Sequence, residues 1–165
     1  MSEAQVIRRN SDAWRRLLAW PSHIRVDGAE RVGQAQEADL MSLPLASHLV
    51  EISSAPGDRI LDPFGGVGTI GVAANRMGRN FTGCEIDPAR HAVGQSHLSP
   101  DSVWFKGSLA AYDTLSLTAD ALITSPPFGR KDGDHRIFDC RYYNEMKLIF
   151  ACAGGTVRDD GVAVI

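Results

Sequence analysis

Arg59-Ile60-Leu61-Asp62-Pro63-Phe64-Gly65-Gly66-Val67-Gly68-Thr69 is the stretch on which the fold of this chain turns. A short apolar run ends in an acid, glycines follow at 65, 66 and 68, and an apolar helical pattern starts directly after them. That order reads as a strand, a tight turn and a helix. Glycines there admit backbone angles closed to other residues and let a ligand lie against the main chain. The helix mouth behind them offers free N–H groups and the positive end of the helix dipole.

Working outward, Ile70, Ala73, Ala74 and Met77 recur at i, i+3, i+4 and i+7, which predicts a helix with one apolar face, closed by Gly78. Asn80 to Glu85 reads as a second strand ending in an acid, and Asp87-Pro88 restarts a helix with a cap and a first-turn proline. Together these form half of a doubly wound nucleotide-binding sheet. Gly66 to Gly71 also spells the dinucleotide fingerprint, with Glu85 at roughly the expected 20-residue distance. Taken alone, that match does not choose a nucleotide.

A second motif narrows the choice. Ala121-Leu122-Ile123-Thr124-Ser125-Pro126-Pro127-Phe128-Gly129 runs from a buried strand into a polar residue, two prolines and an aromatic ring. Consecutive prolines remove two N–H donors and fix the backbone, so the carbonyls are held stiffly. The neighbouring flat ring can stack on a planar base.

With both motifs in view, the chain resembles the S-adenosylmethionine-dependent amino-methyltransferases that act on DNA. Asp62 to Gly68 resembles their cofactor motif and Thr124 to Phe128 their catalytic motif; the likeness runs from about Leu43 to the last residue. It implies a doubly wound, mostly parallel α/β sheet of the class I methyltransferase (Rossmann-like) type and S-adenosyl-L-methionine as cofactor. It assigns cofactor binding to Asp62, Pro63, Phe64, Gly65, Gly66, Gly68, Thr69, Glu85, Ile86 and Ser108, with Glu85 on the ribose hydroxyls and Ile86 beside the adenine. Family members often carry an acid where Ser108 stands. Catalysis falls to Ser125, Pro126, Pro127 and Phe128, and no metal is implied. A serine ahead of the Pro-Pro-aromatic run is typical of enzymes that methylate the cytosine 4-amino group; aspartate there is commoner for the adenine 6-amino group.

The rest of the chain supports residues 1–41 as an N-terminal extension of helix and loop, and 42–165 as the methyltransferase domain. A helix is predicted over 11–19, with Trp14, Leu17 and Leu18 on one face, and Pro21 to Leu40 is weakly patterned. Ser42 to Ser54 reads as a helix presenting Leu45, Leu49 and Ile52, and Ser102 to Lys106 as a third strand. Gly129 to Cys140 is expected to be a mobile loop, and Arg141 to Ala153 a helix with Tyr143, Met146, Lys147 and Phe150 at helical spacing. Tyr142 and Tyr143 read as packing residues. Arg158 to Gly161 should turn the chain into a fifth strand, Val162 to Ile165. Because the family's sheet is larger, a truncated form is expected, or a partner chain that supplies the remaining strands and target recognition.

Composition sets outer bounds. A hydrophobic share of 44% is globular and excludes a disordered chain. No apolar run is long enough to span a bilayer, the start carries no signal-peptide pattern, and Cys84, Cys140 and Cys152 are odd in number and widely spaced. No membrane association and a reducing cytoplasm are the expectation. The net charge of −3 leaves nucleic-acid binding to local patches, either Arg8, Arg9, Arg15 and Arg16 or Arg130, Lys131, His135, Arg136 and Arg141. DNA is the expected partner. RNA or a protein amide is the less favoured substrate, a non-catalytic binding module the third reading, and a nicotinamide enzyme the most distant.

Overall fold

The structure is a computed structural model that describes Val32 and residues 40–112, 117–132 and 135–165. The expected helix over 11–19, the segment from Pro21 to Asp39 apart from Val32, and the first arginine cluster lie outside the described residues, as do the side chains of Arg130, Lys131, His135 and Arg136.

In chain order the elements are α1 (Leu43–Ser53), β1 (Arg59–Asp62), α2 (Thr69–Arg76), β2 (Asn80–Glu85), α3 (Pro88–His97), β3 (Val103–Lys106), a 3₁₀ turn (Leu109–Ala111), β4 (Ala119–Ile123), β5 (Arg130–Asp132), β6 (His135–Ile137), α4 (Cys140–Thr156) and β7 (Val157–Val164). Five strands form one sheet in the order β3-β2-β1-β4-β7, and every neighbouring pair is parallel. This is the doubly wound α/β sheet that the two motifs imply.

Strand alternation divides the core between the two faces. Ile60, Phe81, Ala121 and Ile123 point into the cluster under α1, α2 and α3; Leu61, Cys84 and Leu122 point into the one under α4 and the 3₁₀ turn. Caps fix where the helices begin. The Ser42 hydroxyl accepts the Leu45 N–H at 3.4 Å, Asp87 accepts those of Ala89 and Arg90, and Asp139 accepts that of Tyr142 at 2.9 Å.

Four local expectations need correction. Helix α1 buries Leu43, Ala46 and Val50, and Leu49 packs partly buried against the same cluster, whereas Leu45 and Ile52 are half-buried beside that face. The segment after Phe128 holds an antiparallel hairpin, Arg130 pairing with Ile137 and Asp132 with His135. Its strands carry too few apolar residues for a periodic pattern, so backbone pairing alone defines them. Helix α4 runs on to Thr156 and turns Ile149 and Ala153 inward, whereas Tyr143 is exposed. Strand β7 starts at Val157: Ala119 pairs with Val157 and Ala121 already with Val162, so Arg158 to Gly161 bulge within the strand. Arg158 holds that bulge through an ion pair with Asp120 at 2.6 Å.

Candidate active site

The sheet order reverses between β1 and β4, and parallel strands open a crevice at their C-terminal ends where it does so. Three buried polar side chains gather at that edge: Asp62 ends β1, Glu85 ends β2, and Thr124 follows β4. The Thr124 hydroxyl donates to Asp62 Oδ1 at 2.6 Å, and the Phe64 N–H donates to the same oxygen at 3.1 Å. One carboxylate thus ties the glycine turn to the Pro-Pro motif. Burial pushes the Asp62 carboxyl up to about 7 against the pull of those two donors, with the charge of Glu85 adding a little.

The glycine turn is built from its own backbone. Gly65 N–H donates to the Cys84 carbonyl at 2.8 Å, and Gly68 N–H to the Gly65 carbonyl at 2.8 Å. Gly66 has φ 58° with open space where a Cβ would stand, and it lines the cleft; it is the glycine that leaves room for a ligand against the main chain. Gly65 serves a different purpose. A Cβ there would lie 2.5 Å from the Trp104 ring, so its missing side chain accommodates the indole behind the turn.

A cleft of about 610 Å³ crosses this edge of the sheet, a size that suits a nucleoside-sized ligand. Its wall brings together Pro63, Phe64, Gly66, Glu85, Ile86, Ser108, Ser125, Pro126, Pro127 and Phe128. Asp62, Gly65, Gly68 and Thr69 do not line it; they are buried behind the turn and support it. Glu85 Oε1 accepts the Asp87 N–H at 2.6 Å, which orients the carboxylate at the cleft. Ser108 caps the 3₁₀ turn by accepting the Ala110 N–H at 3.4 Å. Cys84 also borders the cleft, but burial pushes its thiol up to about 12, so it presents a neutral S–H.

Three contributors have no site role of their own in the sequence reading: Thr124, although it opens the catalytic motif, Arg90, and Tyr142, read there as a packing residue. Thr124 was legible only as the residue before Ser125; its partner lies 62 positions away. Arg90 reaches the cleft from α3. Tyr142 lines it from α4 and donates its hydroxyl to the Pro127 carbonyl at 2.9 Å. Asp139 as the cap of α4 was the available signal, since it phases Tyr142, Met146 and Ile149 onto one face.

Residues 19–96 match the model of a family described as DNA methylase. Among curated proteins, the chain is 36% identical over 58 residues to the type II methyltransferase M2.DpnII of Streptococcus pneumoniae, covering 35% of this chain and 22% of that one. It is 42% identical over 43 residues to M1.MboII of Moraxella bovis, covering 26% and 16%. The matched stretches thus span about a fifth of those relatives' lengths. Among solved structures, a TehB-like SAM-dependent methyltransferase from Corynebacterium glutamicum superposes with TM-score 0.58 at 19% identity, covering 98% of this chain and 72% of that one. TrmN from Thermus thermophilus gives 0.54 at 21% identity, covering 74% and 37%. No helix among the described residues is long and apolar enough to cross a membrane. The chain shares the Rossmann-like fold of these methyltransferases, and its residues 19–96 are similar to the DNA methylase family.

Proposed function

We propose that the chain transfers a methyl group from S-adenosyl-L-methionine to the exocyclic amine of an unpaired DNA base, with the cytosine 4-amino group favoured. The observation that carries this reading is the shared cleft: Gly66 and Glu85 face it from one side of the strand reversal, Ser125 and Phe128 from the other. The DNA methylase match supports the substrate class, and the serine at 125, by resemblance, supports cytosine.

The residues fit the cofactor. Gly66 leaves backbone exposed, Phe64 and Ile86 offer apolar surface, and the Glu85 carboxylate suits a pair of ribose hydroxyls. When bound, S-adenosylmethionine supplies an activated methyl whose sulfur keeps the electrons of the broken bond, so the chemistry needs no metal. The difficulty lies with the acceptor, because an exocyclic amine shares its lone pair with the ring. Ser125 Oγ and the Pro126 carbonyl accept hydrogen bonds from the two N–H groups, turn the nitrogen towards tetrahedral geometry and free that lone pair to form the N–C bond. The surplus proton then leaves the amine for solvent. Phe128, 67% exposed at the mouth of the cleft, holds the base by stacking. Alignment and fixed dipoles supply most of the rate. The amine is out of reach inside a duplex, so the base enters flipped out or already unpaired.

Incubation with labelled S-adenosylmethionine and unmethylated DNA, followed by digestion to nucleosides, tests the proposal. Labelled 4-methylcytosine is expected, with Ser125→Ala lowering the rate by about 10²-fold. Labelled 6-methyladenine would keep the enzyme class and overturn the base; label on RNA alone would overturn DNA as substrate.

A further inference from the structure

The Ser-Pro-Pro-Phe segment hangs between two anchors. Upstream, Thr124 is pinned twice: its N–H donates to the Val164 carbonyl at 3.0 Å and its hydroxyl to Asp62. Downstream, the Pro127 carbonyl accepts the Gly129 N–H at 3.0 Å and the Tyr142 hydroxyl at 2.9 Å. Both lone pairs of that oxygen are therefore engaged. Between the anchors, neither Ser125 nor Pro126 takes part in a hydrogen bond among the described residues.

Tyr142 is itself held in place. It stands in the first turn of α4, where the Asp139 side chain accepts its N–H. The Phe138 ring meets it edge-on at 5.4 Å and 82°, and Phe138 in turn rests against Gly129, where a Cβ would stand 3.1 Å from that ring. The phenol is a fixed donor, and the loop it reaches has few soft torsions because both prolines lock φ.

We infer that Tyr142 is a positioning residue for the acceptor loop: its hydroxyl saturates the Pro127 carbonyl and leaves Ser125 Oγ and the Pro126 carbonyl as the acceptors available to an incoming amine. This rests on the methyltransferase reading above and deepens it by assigning a role to a residue outside both motifs. In this role Tyr142 acts through the loop, by way of the Pro127 carbonyl.

Tyr142→Phe keeps the ring and its packing and removes only the hydroxyl. Hydrogen exchange of the wild-type protein and the variant reads the anchor without reference to activity. The Gly129 amide should exchange about tenfold faster in the variant, the effect of one lost hydrogen bond, while Leu61 in β1 is unchanged. In methyl transfer the variant should lose about tenfold in kcat, with cofactor affinity and KM unchanged within about twofold. Equal Gly129 exchange in the two proteins overturns the inference. So does equal kcat in an active enzyme, or a loss confined to KM. If the wild type methylates no nucleic acid, the proposed function falls, and the exchange measurement still decides whether Tyr142 holds the loop.

Discussion

Asp62 is the residue through which the two sides of the cleft are mechanically joined. Its carboxyl is 2% exposed and bears the Thr124 and Phe64 donors on one oxygen. With the carboxyl raised from 3.8 to about 7, chiefly by burial, the native state keeps its proton over a range where the unfolded chain has lost it. Stability contributed by that proton is complete below about pH 4 and is lost as pH rises to about 7, by about 4 kcal/mol in total at about 1.4 kcal/mol per pH unit. Asp62→Asn keeps an acceptor for Thr124 and removes the titration. Urea unfolding across pH 4 to 7 should show a flatter profile for the variant than for the wild type; parallel profiles would mean that Asp62 does not titrate in this window. Thr124→Val leaves the buried carboxyl without its shortest donor and should cost about 1–3 kcal/mol, read as a lower urea midpoint, whereas Thr124→Ser should restore most of it. An acid at 62 was legible as the end of a strand. That its partner is a threonine after another strand was not, because adjacency of β1 and β4 is a property of the sheet order and not of either segment.

Among the elements, β3 carries the residue that fits the glycine turn, β2 and α3 together. The Trp104 indole donates to the His91 carbonyl at 3.0 Å and stacks on the His91 ring at 5.4 Å. A Cβ at Gly65, Gly83 or Gly94 would lie within 2.8 Å of that indole. At Gly83 it would also stand 2.6 Å from Phe81 Cζ. Gly83→Ala should therefore overpack the interface and cost about 1–3 kcal/mol, measured by denaturant unfolding. Gly78→Ala provides the contrast: nothing lies within 4 Å, and only its φ of 72° opposes a side chain, so about 1–2 kcal/mol is expected from the backbone alone. A Gly83→Ala protein as stable as wild type would mean that the indole moves aside freely. Elements with strong local signals were legible in advance: β1, β2 and α3 fall where an apolar run, an acid or an Asp-Pro cap marks them. The hairpin was not, since its strands are polar, and the inner face of α1 was legible only in part: Leu49 packs on the core as its spacing implies, while Leu43, Ala46 and Val50 are the fully buried apolar residues.

For the whole molecule, the reversal of strand order means that a ligand filling the cleft touches two halves joined mainly through β1 and β4. A cofactor bound only by the native state stabilises it by mass action, about 2.7 kcal/mol at 100 times its Kd. For a chain of 165 residues that amounts to a rise in Tm of about 5–10 °C. S-adenosylmethionine should produce this shift in the wild type and in Ser125→Ala, whose side chain belongs to the acceptor side. Gly66→Trp should abolish it, because the indole would fill the open space above the turn; the variant's own Tm without ligand is the reference, since φ 58° at this position also strains a non-glycine residue. Equal shifts in the Gly66→Trp variant and the wild type would locate the ligand away from the turn. A shift with NAD and none with S-adenosylmethionine would hand the Gly66–Gly71 turn to a dinucleotide and leave Ser125 to Phe128 without a role, because no hydride chemistry calls for a serine followed by two prolines and an aromatic ring.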